Sequence, residues 1–181
     1  MSPSEAAFAL TEPQSRDGYS ETEAERAPPM QTAEKEPTPQ TRIVSSRIGD
    51  VETPEANVLR FPRGVLGFET GGEFVILNLP HPGMEQFRLL QSCDDAEVGF
   101  IVVEASGVAS ALDPADLQEA YKQCEVRPTD ALTLLIVTVR KSEDGVELSA
   151  NLRAPIVIDI GRKVGRQHVM ANGKYPVRFG L

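Results

Sequence analysis

The 181-residue chain contains no tryptophan, two cysteines and two histidines, and it has no long uninterrupted run of apolar residues. The missing apolar run argues against a membrane-spanning helix, which needs about 20 such residues. Cys93 and Cys124 form neither a C-x-x-C pair nor a disulfide framework, which is typical of a reducing compartment. No basic segment followed by an apolar one stands near the first residue, so we expect no cleaved secretion signal. These features predict a cytoplasmic protein.

Patterns that indicate catalysis, a metal or a cofactor are also missing. His81 lies in a proline-rich loop and His168 in a predicted strand, and the spacings that favour a zinc site do not occur. Cys93 precedes Asp94 and Asp95, whose negative charges would raise the pKa of the thiol. No phosphate-binding or dinucleotide-binding glycine motif is present. We therefore predict no enzyme and no cofactor, although a cysteine–histidine pair assembled in space stays open as an alternative.

The charge of the chain is acidic and unevenly distributed. The formal net charge is −9, whereas residues 155–181 hold five basic side chains and one acid. An acidic body repels nucleic acid and attracts a basic protein partner. The basic stretch "GRKVGRQH" at 161–168 raises the alternative of direct RNA binding. No aromatic residue is interleaved in it to stack on bases, so a solvated hairpin turn is favoured.

Composition divides the chain at residue 40. Residues 1–40 are rich in Pro, Glu, Ser and Thr and predict a disordered acidic tail, because they bury too little apolar surface to offset their ordering entropy. Residues 41–181 contain short β-branched runs bounded by Gly and Pro, which predicts an all-β, mostly antiparallel, small β-barrel-like domain. A hairpin is predicted at Gly49-Asp50. Further strands are predicted at 57–61, 73–79, 86–92, 97–105, 130–140, 146–152, 155–160 and 166–171.

One short helix is predicted over residues 113–124. Asp113 suits the N-cap and Pro114 the first helical position. The apolar stripe of this segment consists of Leu117, Ala120, Tyr121 and Cys124. We expect the helix to cover one end or one face of the barrel.

The stretch "RFPRGVLGFE" at 60–69 predicts a tight connection after a strand. Pro62 ends strand pairing, and Gly64 and Gly67 permit positive φ on either side of Val65-Leu66. This interpretation returns Phe61 and Phe68 to the core. A second hypothesis is that the loop also presents Leu66 and Glu69 to a partner, as loops on rigid scaffolds often do.

For two other stretches, a structural role is the favoured interpretation. In "QSCDD" at 91–95, adjacent aspartates would face opposite sides of an extended strand, so a turn capped by Asp is favoured over a metal site. Gln91 and Ser92 are expected to hydrogen-bond across a loop or to a partner. In "NLRAP" at 151–155, Asn151 and Pro155 bracket a predicted strand break.

The chain resembles the flagellar assembly factor FliW family in three places. These are "FPRGVLGFE" at 61–69, "LLQSCDD" with "GFIVV" at 89–103, and "NLRAPIVIDIGRKVGRQHVM" with "KYPVR" at 151–178. They occur in the family order and span most of residues 41–181. Two departures are Leu66, where the family often has Pro, and Asp159, where it often has Asn.

The resemblance implies a cytoplasmic regulator without enzymatic activity. It implies binding to the translational repressor CsrA, release of the repressor when flagellin accumulates and binds instead, and no direct contact with nucleic acid or membrane. We expect a monomer when the chain is free. A generic peptide-binding β-barrel adaptor is the alternative. Expected partner-binding residues are Phe61, Pro62, Leu66, Phe68, Glu69, Gln91, Ser92, Asn151, Ala154, Pro155, Gln167 and Tyr175.

Overall fold

The computed structural model describes residues 40–68, 71–143 and 145–181. Apart from Gln40, the tail predicted to be disordered lies outside these residues, and so does Glu69. The division of the chain at residue 40 therefore stays a prediction.

Within the described residues the chain forms eleven strands and one α-helix, joined by three short 3-10 segments. The strands are β1 (Thr41–Ser46), β2 (Gly49–Pro54), β3 (Leu59–Phe61), β4 (Gly72–Asn78), β5 (Phe87–Ser92), β6 (Gly99–Glu104), β7 (Ala131–Ser142), β8 (Gly145–Ala150), β9 (Ile156–Asp159), β10 (Val164–Gln167) and β11 (Phe179–Gly180). The helix α1 spans Pro114–Cys124, and the 3-10 segments span Glu55–Asn57, Ala105–Ala111 and Pro128–Asp130.

Seven of these strands close into a barrel. Strands β7, β6, β5, β4, β3, β10 and β9 are hydrogen-bonded in that order, and β9 pairs back onto β7. The neighbours are antiparallel except for β3 and β10, which run parallel. Closure leaves these strands without a free edge. The predicted fold class is thus confirmed.

Strand β7 is long because it serves two sheets. Residues 131–134 pair with β9 inside the barrel, and residues 137–142 pair with β8, which in turn pairs with β11. The barrel core contains Phe61, Leu90, Leu134, Ile156 and Ile158, all almost fully buried. A second apolar cluster packs between β8 and helix α1. It includes Phe87, Leu135, Leu152, Met170 and Tyr175.

The structure confirms the predicted boundaries and apolar stripe of helix α1. The Asp113 carboxylate accepts a hydrogen bond from the Ala115 amide at 2.9 Å, which caps the first turn. Ala120 and Cys124 are buried, and Cys124 packs on Val157 of β9. The helix therefore covers the face of the barrel formed by β9.

The structure differs from the predicted boundaries in a few places. Arg47 and Ile48 form the first hairpin turn between the paired Ser46 and Gly49, and Gly49 has a φ of 110°, which favours glycine. Strand β10 begins at Val164, not at Arg166, because Lys163 adopts a positive φ and turns the chain early. The 3-10 segment Ala105–Ala111 and the two-residue β11 were not predicted, because neither is long enough to show a period.

Candidate functional site

The loop that follows β3, residues 62–68, has the tight form that its glycines predict. Gly64 and Gly67 adopt φ values of 66° and 86°. Val65 and Phe68 exchange two backbone hydrogen bonds, of 3.2 and 2.7 Å. The loop is thus a closed turn, and the predicted positive φ at both glycines is confirmed.

The two phenylalanines of this motif have different environments. Phe61 is 0% exposed, and its ring lies edge-on to that of Phe74 with 4.9 Å between centroids. Phe68 is 46% exposed and touches Phe100 edge-on at 5.3 Å. Leu66 is 50% exposed. The expectation that Phe68 returns to the core is therefore wrong: the turn rotates its ring to the surface beside β6.

Gln167 on β10 connects the loop to the strand break at 151–155. Its side-chain oxygen accepts a hydrogen bond from the Leu66 amide at 2.9 Å, and its side-chain nitrogen donates to the Ala154 carbonyl at 2.9 Å. Two of the predicted site stretches are thus adjacent in space although they are about a hundred residues apart. A neutral amide side chain holds the backbone of the exposed loop in place.

The strand break itself is built by Asn151. Its side-chain oxygen accepts hydrogen bonds from the Arg153 and Ala154 amides, at 3.0 and 3.2 Å. Ala154 and Pro155 are buried, and the Pro155 carbonyl accepts from the His168 amide at 2.9 Å. The side chains of this stretch contribute to the fold, and they join the loop only through Gln167.

Gln91 and Ser92 shape the loop at residues 93–98. Gln91 is 1% exposed, and its side-chain nitrogen lies 3.0 to 3.4 Å from the carbonyl oxygens of Ser92, Asp95, Ala96 and Val98. The Ser92 hydroxyl accepts from the Asp94 and Asp95 amides, both at 3.2 Å. The predicted turn is present; Ser92 caps its start, and the Asp95 carboxylate accepts from the Glu97 amide at 2.8 Å. Both aspartates are exposed.

A pocket of about 370 Å³, which we name the Phe68 pocket, lies between the two loops. Its walls include Phe68, Phe74, Val98, Ser92, Asp94 and Asp95. Apolar and carboxylate groups therefore line one depression beside the exposed loop.

The carboxylates around this pocket differ in their charge partners. Glu73 pairs with Arg42, which also pairs with Glu55, and Glu97 pairs with Arg47, so the arginines of β1 and its turn partly compensate both carboxylates. In the described part of the chain no basic side chain lies within ion-pair distance of Asp94 or Asp95. The two carboxylates that line the pocket thus have no ion-pair partner among the described residues.

Tyr175 lies apart from this surface, next to α1. It is buried, and its hydroxyl donates to the Asp116 carboxylate at 2.5 Å and accepts from the Asp113 amide at 3.1 Å. The hydrogen bond from Tyr175, with help from Lys174, lowers the pKa of Asp116. Tyr175 therefore fastens the C-terminal segment to the first turn of the helix.

The basic stretch at 161–168 contacts the other end of α1. Arg162 donates to the Glu125 carbonyl, and Arg166 donates to the Gln123 carbonyl at 3.1 Å. Cations at this end of a helix complement its dipole. Asp159 holds Arg162 through two 2.7 Å hydrogen bonds, which lower the pKa of its carboxyl. Both arginines of this stretch, which the RNA-binding alternative would assign to phosphates, therefore have structural partners.

The cysteines have the character of packed residues. Burial raises the pKa of both the Cys93 and the Cys124 thiol. For Cys93 the direction agrees with the prediction, but burial is the larger cause and the neighbouring acids contribute less. Arg42 opposes this increase. A raised pKa keeps each thiol protonated, which disfavours nucleophilic chemistry.

The geometry defines a closed β-barrel with one flanking helix and an exposed apolar loop beside an acidic pocket. The chain matches the model of the FliW protein family over residues 42–181. It therefore belongs to the FliW family, and the resemblance seen in the sequence is confirmed.

Curated relatives support this assignment. The flagellar assembly factor FliW of Syntrophus aciditrophicus is 30% identical over 143 residues, which cover 77% of this chain and 87% of the relative. That of Desulfitobacterium hafniense is 31% identical, with 77% and 90% covered. A crystal structure of the flagellar assembly factor FliW superposes with a TM-score of 0.62 at 29% identity, covering 77% of this chain and 96% of that one.

The structure assigns the predicted site residues to two groups. The side chains of Phe61, Gln91, Ser92, Ala154, Pro155 and Tyr175 are buried and support the fold. Pro62, Leu66 and Phe68 are exposed, Gln167 is half-buried and bonded to the loop, and Asn151 is half-buried in the strand break. Sequence reasoning missed the role of Val98 and of the uncompensated charge on Asp94 and Asp95. The adjacency of "QSCDD" to a Gly-rich loop is visible only in three dimensions.

Proposed function

We propose that this chain is a protein antagonist of a CsrA-type translational repressor and also a flagellin-binding protein. In this role it couples the flagellin level to flagellin translation, works in the cytoplasm as a chaperone-like binder, and turns over no substrate. Family membership supports a role in flagellar assembly, since the curated relatives carry that description. Such partner switching needs coupled or mutually exclusive binding surfaces and no catalytic pocket.

The exposed apolar loop is the observation that carries this proposal. Leu66 and Phe68 present half of their surface to solvent although the loop backbone is bonded to the barrel through Gln167. A preformed loop loses little conformational entropy when it binds, so its apolar contacts translate into affinity. The net charge of −9 favours encounter with a basic partner.

No helix in the described part of the chain is both long enough and apolar enough to cross a membrane. The expected monomeric state of the free chain stays a prediction. So does the role of Glu69, whose side chain lies outside the described residues.

Calorimetry with a purified CsrA-type repressor, and separately with flagellin, tests the proposal. Replacing Leu66 and Phe68 together by Ala should weaken binding of at least one partner about tenfold, the loss of roughly 1.4 kcal/mol of apolar contact. Val146→Ala removes an apolar side chain on β8 that is more exposed, at 64%, and serves as the control. Unchanged affinity in the double variant would reject the loop. Failure of both proteins to bind the wild type would reject the function.

The rival hypothesis of direct RNA binding has its own test. A filter-binding assay with flagellin leader RNA should show no complex with this chain alone. Arg162 and Arg166 are engaged with helix carbonyls, which supports that expectation. A tight, salt-dependent complex would favour the RNA-binding alternative. A pull-down from lysate that recovers an unrelated peptide ligand would favour the generic adaptor.

A further inference from the structure

The Phe68 pocket combines three features that suit one kind of side chain. The half-exposed ring of Phe68 forms part of its wall, and the buried Phe74 and the half-buried Val98 line it as well. Asp94 and Asp95 add two carboxylates that no described cation neutralises. An occupant therefore has to offer positive charge together with a flat or apolar surface.

We propose that the Phe68 pocket receives an arginine side chain of a basic protein partner. A guanidinium is planar, stacks on aromatic rings and binds carboxylates through parallel hydrogen bonds. A lysine ammonium is a strongly hydrated point charge and gains less from an aromatic wall. That the arginine comes from the CsrA-type partner rests on the proposed function, whereas the chemistry of the pocket does not.

The arginines of the β1–β2 hairpin determine which carboxylates near the pocket are left without an ion-pair partner. These arginines, Arg42 and Arg47, pair with Glu73 and Glu97, which adjoin pocket residues in sequence. Asp94 and Asp95 have no ion-pair partner among the described residues, so they are the carboxylates that can attract a cation to the pocket. The Asp95 carboxylate accepts from the Glu97 amide at 2.8 Å and the Asp94 carboxylate from the Glu73 amide at 3.4 Å, while the Gln91 side chain donates to the Asp95 carbonyl.

The test uses small probes, so it does not depend on the identity of the partner. The full chain labelled with nitrogen-15 is titrated with N-acetyl-L-argininamide and, separately, with N-acetyl-L-lysinamide, while amide shifts are followed by NMR. The arginine probe should bind about threefold or more tightly than the lysine probe, with the largest shifts at Gly71, Gly72 and residues 92–98. Equal binding of the two probes, or no binding of the arginine probe, would overturn the proposal.

A double variant tests whether the arginine probe binds through Asp94 and Asp95 or through the overall negative charge of the chain. Asp94→Asn with Asp95→Asn keeps the side-chain shape and an oxygen that accepts from the Glu97 amide, but removes both charges. Arginine-probe affinity should fall about fivefold, the size expected from two partly exposed charge contacts. Glu143→Gln with Glu147→Gln removes the same charge from the exposed turn and edge of β8 and should change affinity less than twofold. Equal losses in the two double variants would show only general attraction and overturn the site.

The two proposals fail in different ways. Arginine-probe binding that depends on Asp94 and Asp95, without binding of any CsrA-type repressor, would uphold the pocket and reject the partner. Repressor binding that is unchanged in the Asp94→Asn, Asp95→Asn variant would uphold the function and remove the pocket from it.

Discussion

The two faces of strand β10 contact different parts of the molecule through different kinds of interaction. Successive strand residues point to opposite faces, so Gly165 and Gln167 face the barrel core and the 62–68 loop, while Arg166 faces α1. The first face makes apolar and neutral hydrogen-bonded contacts. The second face, together with Arg162 of the preceding turn and Asp159 at the end of β9, is charged. One four-residue strand therefore places the exposed loop and the helix on one barrel.

The contacts on the two faces of β10 therefore differ in whether they include groups that titrate. The described hydrogen bonds from Gln167 to the loop and to the strand break join neutral groups, so these bonds do not titrate. Contacts on the helix side depend on carboxylates whose pKa values are lowered by their partners. The comparison predicts that mutations on the two faces have distinct signatures.

Phe61→Ala should have the largest effect. The ring is fully buried against Phe74 and lies under Gly165, so truncation leaves a cavity in the barrel core. We expect a loss of about 3–5 kcal/mol in the free energy of unfolding, measured by urea denaturation. Phe68→Ala is the matched control and should cost less than about 1.5 kcal/mol, because its ring is half exposed. Equal losses would contradict the assignment of one ring to the core and the other to the surface.

Gly165→Ala should follow in size. A Cβ atom at this position would clash with the Phe61 ring, so the ring or the strand has to move. Overpacking of this kind costs about 1–3 kcal/mol. In a Phe61→Ala background the clash disappears, and the second substitution should then cost much less. Additive losses in this double-mutant cycle would show that the two residues do not touch.

Much of the fold follows from short-range signals. The N-cap at Asp113, the positive φ of Gly64 and Gly67 and most strands were predicted because each depends on neighbours in sequence. The contact of Gln167 with Leu66 joins residues about a hundred positions apart and has no local signature. Which phenylalanine is buried also depends on the direction of a turn in three dimensions. For the same reason, the sequence predicted the candidate site only as separate stretches of chain. The structure was needed to show which of the site residues are exposed.

Asp159→Asn tests the charged face. Hydrogen bonds from the Arg162 amide and guanidinium lower the pKa of Asp159 below its unfolded value of about 3.9. A lowered pKa contributes stability that is present above about pH 4 and is lost as the pH falls through the folded-state value. Urea denaturation from pH 7 to pH 2.5 should therefore show a shallower acid-side loss in the variant. Asp113 and Asp116 also have lowered pKa values, so part of the acid dependence should persist. Identical pH profiles would remove Asp159 from the acid dependence.

Gln167→Ala should have the smallest effect on stability and a clear effect on the loop. The substitution removes the acceptor of the Leu66 amide and the donor to the Ala154 carbonyl, worth about 1 kcal/mol in the free energy of unfolding. Hydrogen exchange of the Leu66 amide, followed by NMR, should become severalfold faster because its partner is gone. Arg166→Ala is the control on the opposite face, since it loses only the bond to the Gln123 carbonyl and should leave Leu66 exchange unchanged. If Arg166→Ala accelerates Leu66 exchange as much as Gln167→Ala does, the two faces of β10 are not independent, and the loop depends on the whole hairpin instead of one amide side chain.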